Sequence, residues 1–227
     1  MPSPSDVPPF DAKPVTVSGR RPIVVGIAGG TGSGKSTLAR RLARRIGEER
    51  CALVSQDNYY RDLAHLSAGV RARRNFDHPE SLDDALLVEH VGALRRGQPV
   101  VTPSYDFARH ARRSDGGVEL APRDVVIVEG ILVFVWPALV GLMDLKIFVD
   151  TPDDLRLLRR VRRDIADRGR DVDSVLSQYQ ETVRPMHDAF VGPSRGVADL
   201  IVPGEGDNQT VVRFLSTAFA SFLSADA

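Results

Sequence analysis

Residues 22–37 read PIVVGIAGGTGSGKST, and the rest of the chain can be interpreted outward from this segment. A short run of β-branched side chains ends in glycines, which predicts a buried parallel strand. From residue 35 onward apolar side chains recur every fourth residue, which predicts an amphipathic helix over residues 35–47 that ends at Gly47. The segment is therefore a strand, a glycine-rich loop and a helix in direct succession.

The loop between this strand and this helix fits the pattern G-x-x-x-x-G-K-[S/T] at residues 29–36. Glycines let successive backbone N–H groups curl around phosphate oxygens, and the helix N-terminus adds its partial positive charge. We expect Lys35 to reach the β- and γ-phosphates of a nucleotide and the Ser36 hydroxyl to bind Mg²⁺. An ordinary glycine-rich turn is the alternative, but Lys35 is one of only three lysines in the chain. The predicted nucleotide-binding residues are Gly29, Gly30, Thr31, Gly32, Ser33, Gly34, Lys35, Ser36 and Thr37.

Composition narrows the class of protein. The 227 residues suit one domain with its own core, and 30 basic against 30 acidic side chains give no net charge. A neutral chain lacks the general attraction to nucleic acid of a basic protein, so we expect a small-molecule substrate and no nucleic-acid partner. The longest apolar run, residues 131–143, is too short to span a membrane, and the N-terminus has no secretory-signal pattern. Since the lone Cys51 cannot form an intramolecular disulfide, a cytoplasmic location is expected.

Short apolar strands alternate with helical patterns along the rest of the chain, which predicts an α/β fold with a central parallel sheet. Strands are expected near residues 51–57, 124–130, 145–150 and 198–203, and helices at 81–96, 152–168, 173–190 and 208–223. Residues 98–120 change to shorter alternating pieces, which predicts a β-hairpin or small subdomain. The proline-rich residues 1–19 are expected to form a disordered tail before a single domain at 20–227.

A phosphate-binding loop needs a second oxygen ligand near its metal ion. Glu129 ends one apolar strand and Asp150 ends another, and strands of such sheets deliver their C-terminal residues to the nucleotide crevice. Glu129 is the predicted metal ligand together with Ser36. Asp150 remains a competitor, and either carboxylate could instead form a strand-end turn.

Two further groups fit phosphoryl transfer. Asp57 follows the second strand, where it faces the crevice, although it could instead cap a helix. Seven arginines crowd residues 156–170, and the glycine at 169 marks a bend at which a mobile lid could present them to phosphate oxygens. We expect Leu155, Leu158 and Ile165 to face the core. Solvent exposure is expected for Arg156, Arg159 and Arg162, and phosphate-facing roles for Arg160, Arg163, Arg168 and Arg170.

The chain resembles the uridine kinase (uridine–cytidine kinase) family of the phosphoribulokinase/uridine kinase group. The matching segments span residues 22–208 and read GGTGSGKST, SQDNYY, NFDHPE, YDFARH, VVIVEGIL, FVDTP, RRDIADRGRD, SQY and VRPM. The resemblance implies a P-loop kinase fold, a β-hairpin that binds nucleoside and lid helices over residues 152–190. It also implies transfer of phosphate from ATP or GTP, with Mg²⁺, to the 5′-hydroxyl of uridine and cytidine in pyrimidine salvage, by a homotetramer.

Matching the motifs residue by residue assigns site roles. Asp57 matches the catalytic carboxylate beside the 5′-hydroxyl, and Asp77 matches the residue that binds the ribose hydroxyls. Other matches are Phe76, Tyr105 and His110 around the pyrimidine, and Arg160, Arg163 and Arg168 near the transferred phosphoryl group. Arg170 and Gln178 match residues at the nucleoside end, and Tyr60 and Ile131 complete the expected substrate-binding set.

From the residues alone, other interpretations stay open. Phe76 could be a core residue, His110 a surface histidine and Asp77 a cap of the turn at residues 78–79. The loop at 203–208, PGEGDN, lacks the basic residue of the family pattern P-[R/K]-G-x-x-N, which leaves the donor preference open. A related kinase for ribulose 5-phosphate or pantothenate, or a nucleotide-binding regulator without catalysis, are the alternative functions.

Overall fold

The computed structural model describes residues 21–72, 74–107, 109–113, 117–206 and 208–224. The predicted tail at 1–19 lies outside the described residues. The strands are β1 (Ile23–Ala28), β2 (Cys51–Ser55), β3 (Val100–Thr102), β4 (Tyr105–Asp106), β5 (Ala111–Arg112), β6 (Val118–Leu120), β7 (Val125–Gly130), β8 (Leu145–Asp150) and β9 (Leu200–Pro203). The helices are α1 (Lys35–Ile46), α2 (Ala68–Ala72), α3 (Asp84–Arg95), α4 (Pro137–Val140), α5 (Asp153–Arg168), α6 (Val172–Gln178), α7 (Arg184–Met186), α8 (Gly192–Ser194) and α9 (Gln209–Ser224).

Within the described residues, five strands form a parallel sheet in the order β2–β7–β1–β8–β9. The apolar runs of the central strands β1 and β7 are buried on both faces, as expected for strands covered by helices on either side. The register pairs Ala28 with Gly130 and Ser55 with Glu129, so β1, β2 and β7 end at one edge. The predicted α/β fold with a central parallel sheet is confirmed.

The core lies in two layers, one on each face of the sheet. On one face α1 and α9 pack against β1, β7 and β8 through side chains such as Leu38, Leu42 and Phe219. On the other face α3 and α4 contribute Leu87, Val91 and Leu139. Among the described residues, no helix is both long and apolar enough to cross a bilayer.

Two predicted helices have different bounds in the structure. The helix expected from residue 81 begins at Asp84, because Asp83 caps it by accepting the Leu86 N–H, whereas the Ser81 hydroxyl donates to the carbonyls of residues 76 and 78. The helix expected at 173–190 continues to Val197 through two π-helical turns, Tyr179–Val183 and His187–Val191. Each wide turn ends two residues before a proline, whose ring crowds the carbonyl four residues earlier.

Residues 98–120 form two short antiparallel pairs, β3 with β6 and β4 with β5. The β4–β5 pair lies inside the loop that joins β3 to β6. This pair places Tyr105 opposite Arg112. Arg112 also donates to the carbonyl of Tyr60, which forms an isolated antiparallel bridge with Leu82.

The orientation of α5 contradicts the predicted core-facing stripe. Leu158 is 54% exposed and Ile165 is 40% exposed, whereas Arg156, Arg160 and Asp164 are buried. These three charged residues are spaced four apart, so they share one face of the helix, and that face packs inward. The buried face of α5 is therefore charged, and the expectation that Arg156 is solvated was wrong.

A buried leucine of α1 and an exposed leucine of α5 allow the orientation of α5 to be tested. Leu42→Ala should lower the free energy of unfolding by about 2–5 kcal/mol, because its side chain is fully buried beneath the sheet. Leu158→Ala should change it by no more than about 0.5 kcal/mol. Urea unfolding of both variants measures the difference, and a large loss for Leu158→Ala would show that this face of α5 is covered.

Candidate active site

The phosphate-binding loop at residues 29–36 packs directly against α5. Gly32 has a φ of +75°, and a Cβ there would lie 2.3 Å from the backbone oxygen of Arg156, so this position requires glycine. The Arg156 side chain is 3% exposed and donates to the Thr151 carbonyl at 3.2 Å and to Asp153 at 2.6 Å. Arg156 is thus a buried residue that packs against the phosphate-binding loop.

The start of α1 is arranged to receive an anion. Gly34 precedes the helix without a side-chain cap, which leaves the first backbone N–H groups and the helix dipole directed at the loop. Lys35 lies beside it, where burial lowers the pKa of its ammonium group while the carboxylates of Glu129 and Asp57 oppose that shift. Lys35 therefore lies among acidic groups at the mouth of the loop.

Glu129 lies at the end of β7, next to the first turn of α1. Its two carboxylate oxygens accept hydrogen bonds from Ser36 at 2.8 Å and from Ser55 at 2.9 Å, and its side chain is almost fully buried. Ser55 was not predicted, although it ends the strand paired with Glu129. The competing carboxylate, Asp150, is half-exposed and bonded to Arg195 at 3.2 Å, so it does not join this group.

A hydroxyl and a carboxylate are hard oxygen donors of the kind that Mg²⁺ prefers. Ser36 and Glu129 are therefore the residues that could hold a magnesium ion here. No cluster of three or more metal-ligating His, Cys, Asp or Glu residues occurs in the described part of the chain.

A cleft of about 1170 Å³ extends from the loop to the small strand pairs. Every predicted catalytic and substrate-binding residue lines it: Lys35, Asp57, Tyr60, Phe76, Asp77, Tyr105, His110, Ile131, Arg160, Arg163, Arg168, Arg170 and Gln178. Sequence reasoning missed several others, namely Arg74, Phe107, Asp167, Ser174, Ser177, Glu181 and Thr182. Three of these had a signal, since Phe107, Asp167 and Ser177 belong to the matching segments YDFARH, RRDIADRGRD and SQY.

Aromatic rings form one wall of the cleft. Phe76 stacks on His110 with ring centroids 4.7 Å apart and planes 16° apart, and Tyr60 meets Phe76 edge-on at 5.6 Å. Phe76 also packs against the core, so it contributes to both the core and the cleft. Burial raises the pKa of Tyr105 to about 12, and its buried hydroxyl has no hydrogen-bond partner among the described residues. An unpartnered donor beside a flat wall is what a ligand with a ring and a polar edge requires.

Asp77 points into the cleft and does not cap the turn that follows it. Asn75 and His78 make the local caps, by accepting the N–H groups of Asp77 and Glu80. The Asp77 carboxylate is 8% exposed and accepts a hydrogen bond from the Thr182 hydroxyl at 3.4 Å. Burial raises the pKa of this carboxyl, and the Arg160 guanidinium opposes that shift. The capping alternative is therefore wrong.

The predicted phosphate-facing arginines meet where the loop and the aromatic wall approach each other. Arg160 donates to Thr31 of the loop at 3.2 Å and to Gln178 at 2.9 Å, and Arg170 also donates to Gln178. The guanidinium carbon of Arg168 lies 5.1 Å from the centre of the Phe107 ring. The site thus has cations at its centre, between loop and aromatic wall.

Of the arginines predicted to be solvated, only Arg162 is exposed. Arg159 donates to the Gly204 carbonyl at 2.9 Å, at the start of the loop that departs from the family pattern. A Cβ at Gly204 would lie 1.7 Å from the Thr151 hydroxyl oxygen, so a longer side chain does not fit this backbone. Arg159 supplies the basic group next to a loop that has none of its own.

The protonation of His110 follows from its surroundings. Burial is the main cause that lowers the pKa of its imidazole below 6.5, and the guanidinium of Arg170 is the next. Arg170→Gln should therefore raise the pKa of His110, whereas Arg162→Gln, an exposed change on α5, should not. NMR titration of the imidazole C–H signals, assigned with His110→Gln, measures this. A wild-type pKa at or above 6.5 would contradict the burial argument.

Comparisons with known proteins identify the family of this chain. Residues 24–211 match the model of the phosphoribulokinase/uridine kinase family. A uridine kinase of Chloroflexus aggregans is 50% identical over 191 residues, covering 84% of this chain and 91% of its own, and one of Alkaliphilus metalliredigens is 48% identical over 192 residues, covering 85% and 92%. The solved phosphoribulokinase of Rhodobacter spheroides shares the fold, with a TM-score of 0.58 at 16% identity over 82% of this chain and 74% of its own. The chain belongs to the phosphoribulokinase/uridine kinase family.

Proposed function

We propose that this chain phosphorylates the 5′-hydroxyl of uridine and cytidine, with ATP as donor and UMP and CMP as products. One observation carries the proposal: a single cleft joins the phosphate-binding loop to an aromatic wall with a buried carboxylate. Relatives that share about half of the sequence over most of their length are uridine kinases. GTP is the alternative donor.

Asp57 is proposed to orient and deprotonate the acceptor hydroxyl. It interacts electrostatically with Lys35 on the phosphate side and with Asp77 on the opposite side, so it lies where the two substrates meet. The acceptor oxygen forms a bond to the γ-phosphorus, the bond from that phosphorus to the β–γ bridging oxygen breaks, and the acceptor proton passes to Asp57. Lys35 and the guanidiniums of Arg160, Arg163 and Arg168 stabilise the charge on the transferred group.

Ser36 and Glu129 are proposed to hold Mg²⁺, which would offset the negative charge of the donor phosphates. Residues 29–37 cradle the phosphates of the donor. Since Glu129 also accepts from Ser55, its carboxylate is fixed before any ligand arrives.

The nucleoside is proposed to lie against the Phe76–His110 stack. The unpartnered Tyr105 hydroxyl and the His110 imidazole face the polar edge of the base, while Asp77 accepts from the ribose hydroxyls. Tyr60, Ile131, Arg170 and Gln178 complete this end of the cleft. We therefore propose a small nucleoside as the ligand of this pocket and no nucleic-acid partner.

The domain bounds, the cellular location, the pathway and the oligomeric state are proposed from the resemblance to the family. We propose one kinase domain over residues 20–227, with the insert at 98–120 and lid helices at 152–190, acting in the cytoplasm in pyrimidine salvage. A homotetramer is also proposed. This assembly state rests on the resemblance to the family alone.

Release of ADP from ATP–Mg²⁺ tests the reaction with uridine, cytidine, 2′-deoxyuridine, adenosine, ribulose 5-phosphate and pantothenate as acceptors. Turnover is expected with uridine and cytidine. If Asp77 binds the 2′-hydroxyl, kcat/KM for 2′-deoxyuridine should fall by about 10²-fold, because a buried carboxylate then loses its partner. Turnover with only ribulose 5-phosphate or pantothenate would overturn the nucleoside pocket, and ATP binding without any turnover would favour a regulator.

Asp57→Asn tests the proposed base. The substitution keeps the size of the side chain and removes its charge, so kcat should fall by about 10²–10⁴-fold while ATP still binds. Glu89→Gln, an exposed carboxylate of α3, makes the same charge change outside the cleft and should retain full activity. Unchanged turnover in Asp57→Asn would exclude it as the base.

A further inference from the structure

Asp164 lies in the middle of the arginine-rich helix α5, and its side chain is fully buried. Four guanidiniums approach its carboxylate. The contacts are Arg163 Nη2 at 2.8 Å and Nε at 2.9 Å, Arg160 Nε and Arg168 Nη1 at 3.6 Å each, and Arg170 Nη1 at 3.8 Å. One buried anion therefore holds four cations.

All four arginines line the cleft, whereas Asp164 lies behind them. They come from different parts of the segment: residues 160, 163 and 168 belong to α5, and Arg170 follows the left-handed Gly169 at its end. The carboxylate is the point at which their inner edges meet, while Arg160 reaches Thr31 of the phosphate-binding loop with its Nη1.

The backbone of Asp164 fixes the same region. Its carbonyl accepts the N–H of Gly169 and that of Arg170, the latter at 3.1 Å. These bonds stabilise the turn at the C-terminus of α5, which includes Arg168 and Arg170. Asp164 thus stabilises the backbone turn that precedes Arg170 through its carbonyl, and it attracts the arginine side chains through its carboxylate.

Electrostatics explain why a carboxylate is needed at this position. Four like charges near one another repel, and long arginine side chains have many rotamers into which they can spread. A buried carboxylate offsets one charge at the centre of the group and keeps the four guanidiniums close together. The cluster keeps a net positive charge toward the cleft.

We propose that Asp164 is a positioning residue that preorganises Arg160, Arg163, Arg168 and Arg170 for the transferred phosphoryl group. The inference rests on the proposed kinase reaction. Asp164 itself does not touch the reacting atoms, and it acts through the guanidiniums it holds. Preorganisation matters most in the transition state, because misplacing a charge-stabilising group by ~1 Å costs about 10²-fold in rate.

Asp164→Asn tests the proposal, since the amide keeps the shape and removes the charge. We expect kcat with uridine to fall by about 10²-fold. Binding of ATP–Mg²⁺, measured by calorimetry, should retain its stoichiometry and should not weaken, because the cleft gains one positive charge. Asp154→Asn is the matched control: it makes the same change at an exposed position of α5 and should behave as wild type.

Kinetics separate positioning from a merely structural role. A protein that only folds less well would lose kcat and binding stoichiometry together, and that result would overturn the proposal. A kcat within about twofold of wild type would also overturn it, since differences that small fall within ordinary surface-mutation effects.

A second readout does not depend on the acceptor. The Arg163 Nε–H donates to Asp164, so its exchange with solvent, followed by NMR and assigned with Arg163→Lys, should be slow in wild type. In Asp164→Asn it should accelerate by at least about tenfold, as expected for loss of a charge-assisted hydrogen bond. If wild type does not phosphorylate uridine, the proposed function fails and this exchange rate decides the role of Asp164. Unchanged exchange would overturn the proposal.

Discussion

Helix α5 packs a charged face, not an apolar one, against the phosphate-binding loop. Arg156 fills the space behind Gly32, and Arg160 reaches forward to Thr31, so the loop and the helix form one unit. Burying charge in this way is costly unless every charge has a partner. Asp153, Thr151 and Asp164 supply the partners, which is why the arrangement can persist. The shape of the donor site therefore depends on ion pairs in α5 as well as on the glycines.

The same packing explains two features at the surface. Because the charged side of α5 faces inward, Leu158 and Ile165 are turned outward. Arg159, one position before the buried Arg160, reaches the edge of the loop at Gly204. The close approach of residues 204 and 151 excludes a side chain at 204, and Arg159 is the residue that brings positive charge to this edge.

The nucleoside end of the cleft is built differently, from short elements that are held together by aromatic rings. Phe76 lies between the core and His110, and Tyr60 connects it to Tyr105. Across the cleft, the π-helical turn at Tyr179–Val183 carries Thr182, which reaches Asp77. A wide helical turn at this place alters which side chains face the ligand, as such turns often do at functional sites.

The amino-acid sequence by itself determined the strand–loop–helix unit, the α/β class and the family. These follow from local periodicity, from glycines that permit the loop, and from motifs whose residues are close in sequence. The residues expected at the site also meet in one cleft, because the parallel register brings the ends of β1, β2 and β7 to one edge.

Only the tertiary structure decided which face of α5 is buried, whether Glu129 or Asp150 lies beside Ser36, and where Ser55, Thr182 and Asp164 act. Apolar spacing normally predicts the buried face, but on α5 ion pairs between residues a few positions apart offset the cost of burying charge. That spacing of acids and arginines is visible in the sequence, yet it is equally typical of an exposed helix face. The contact of the helix with Thr31 of the loop depends on distances across the fold, which a sequence pattern does not contain.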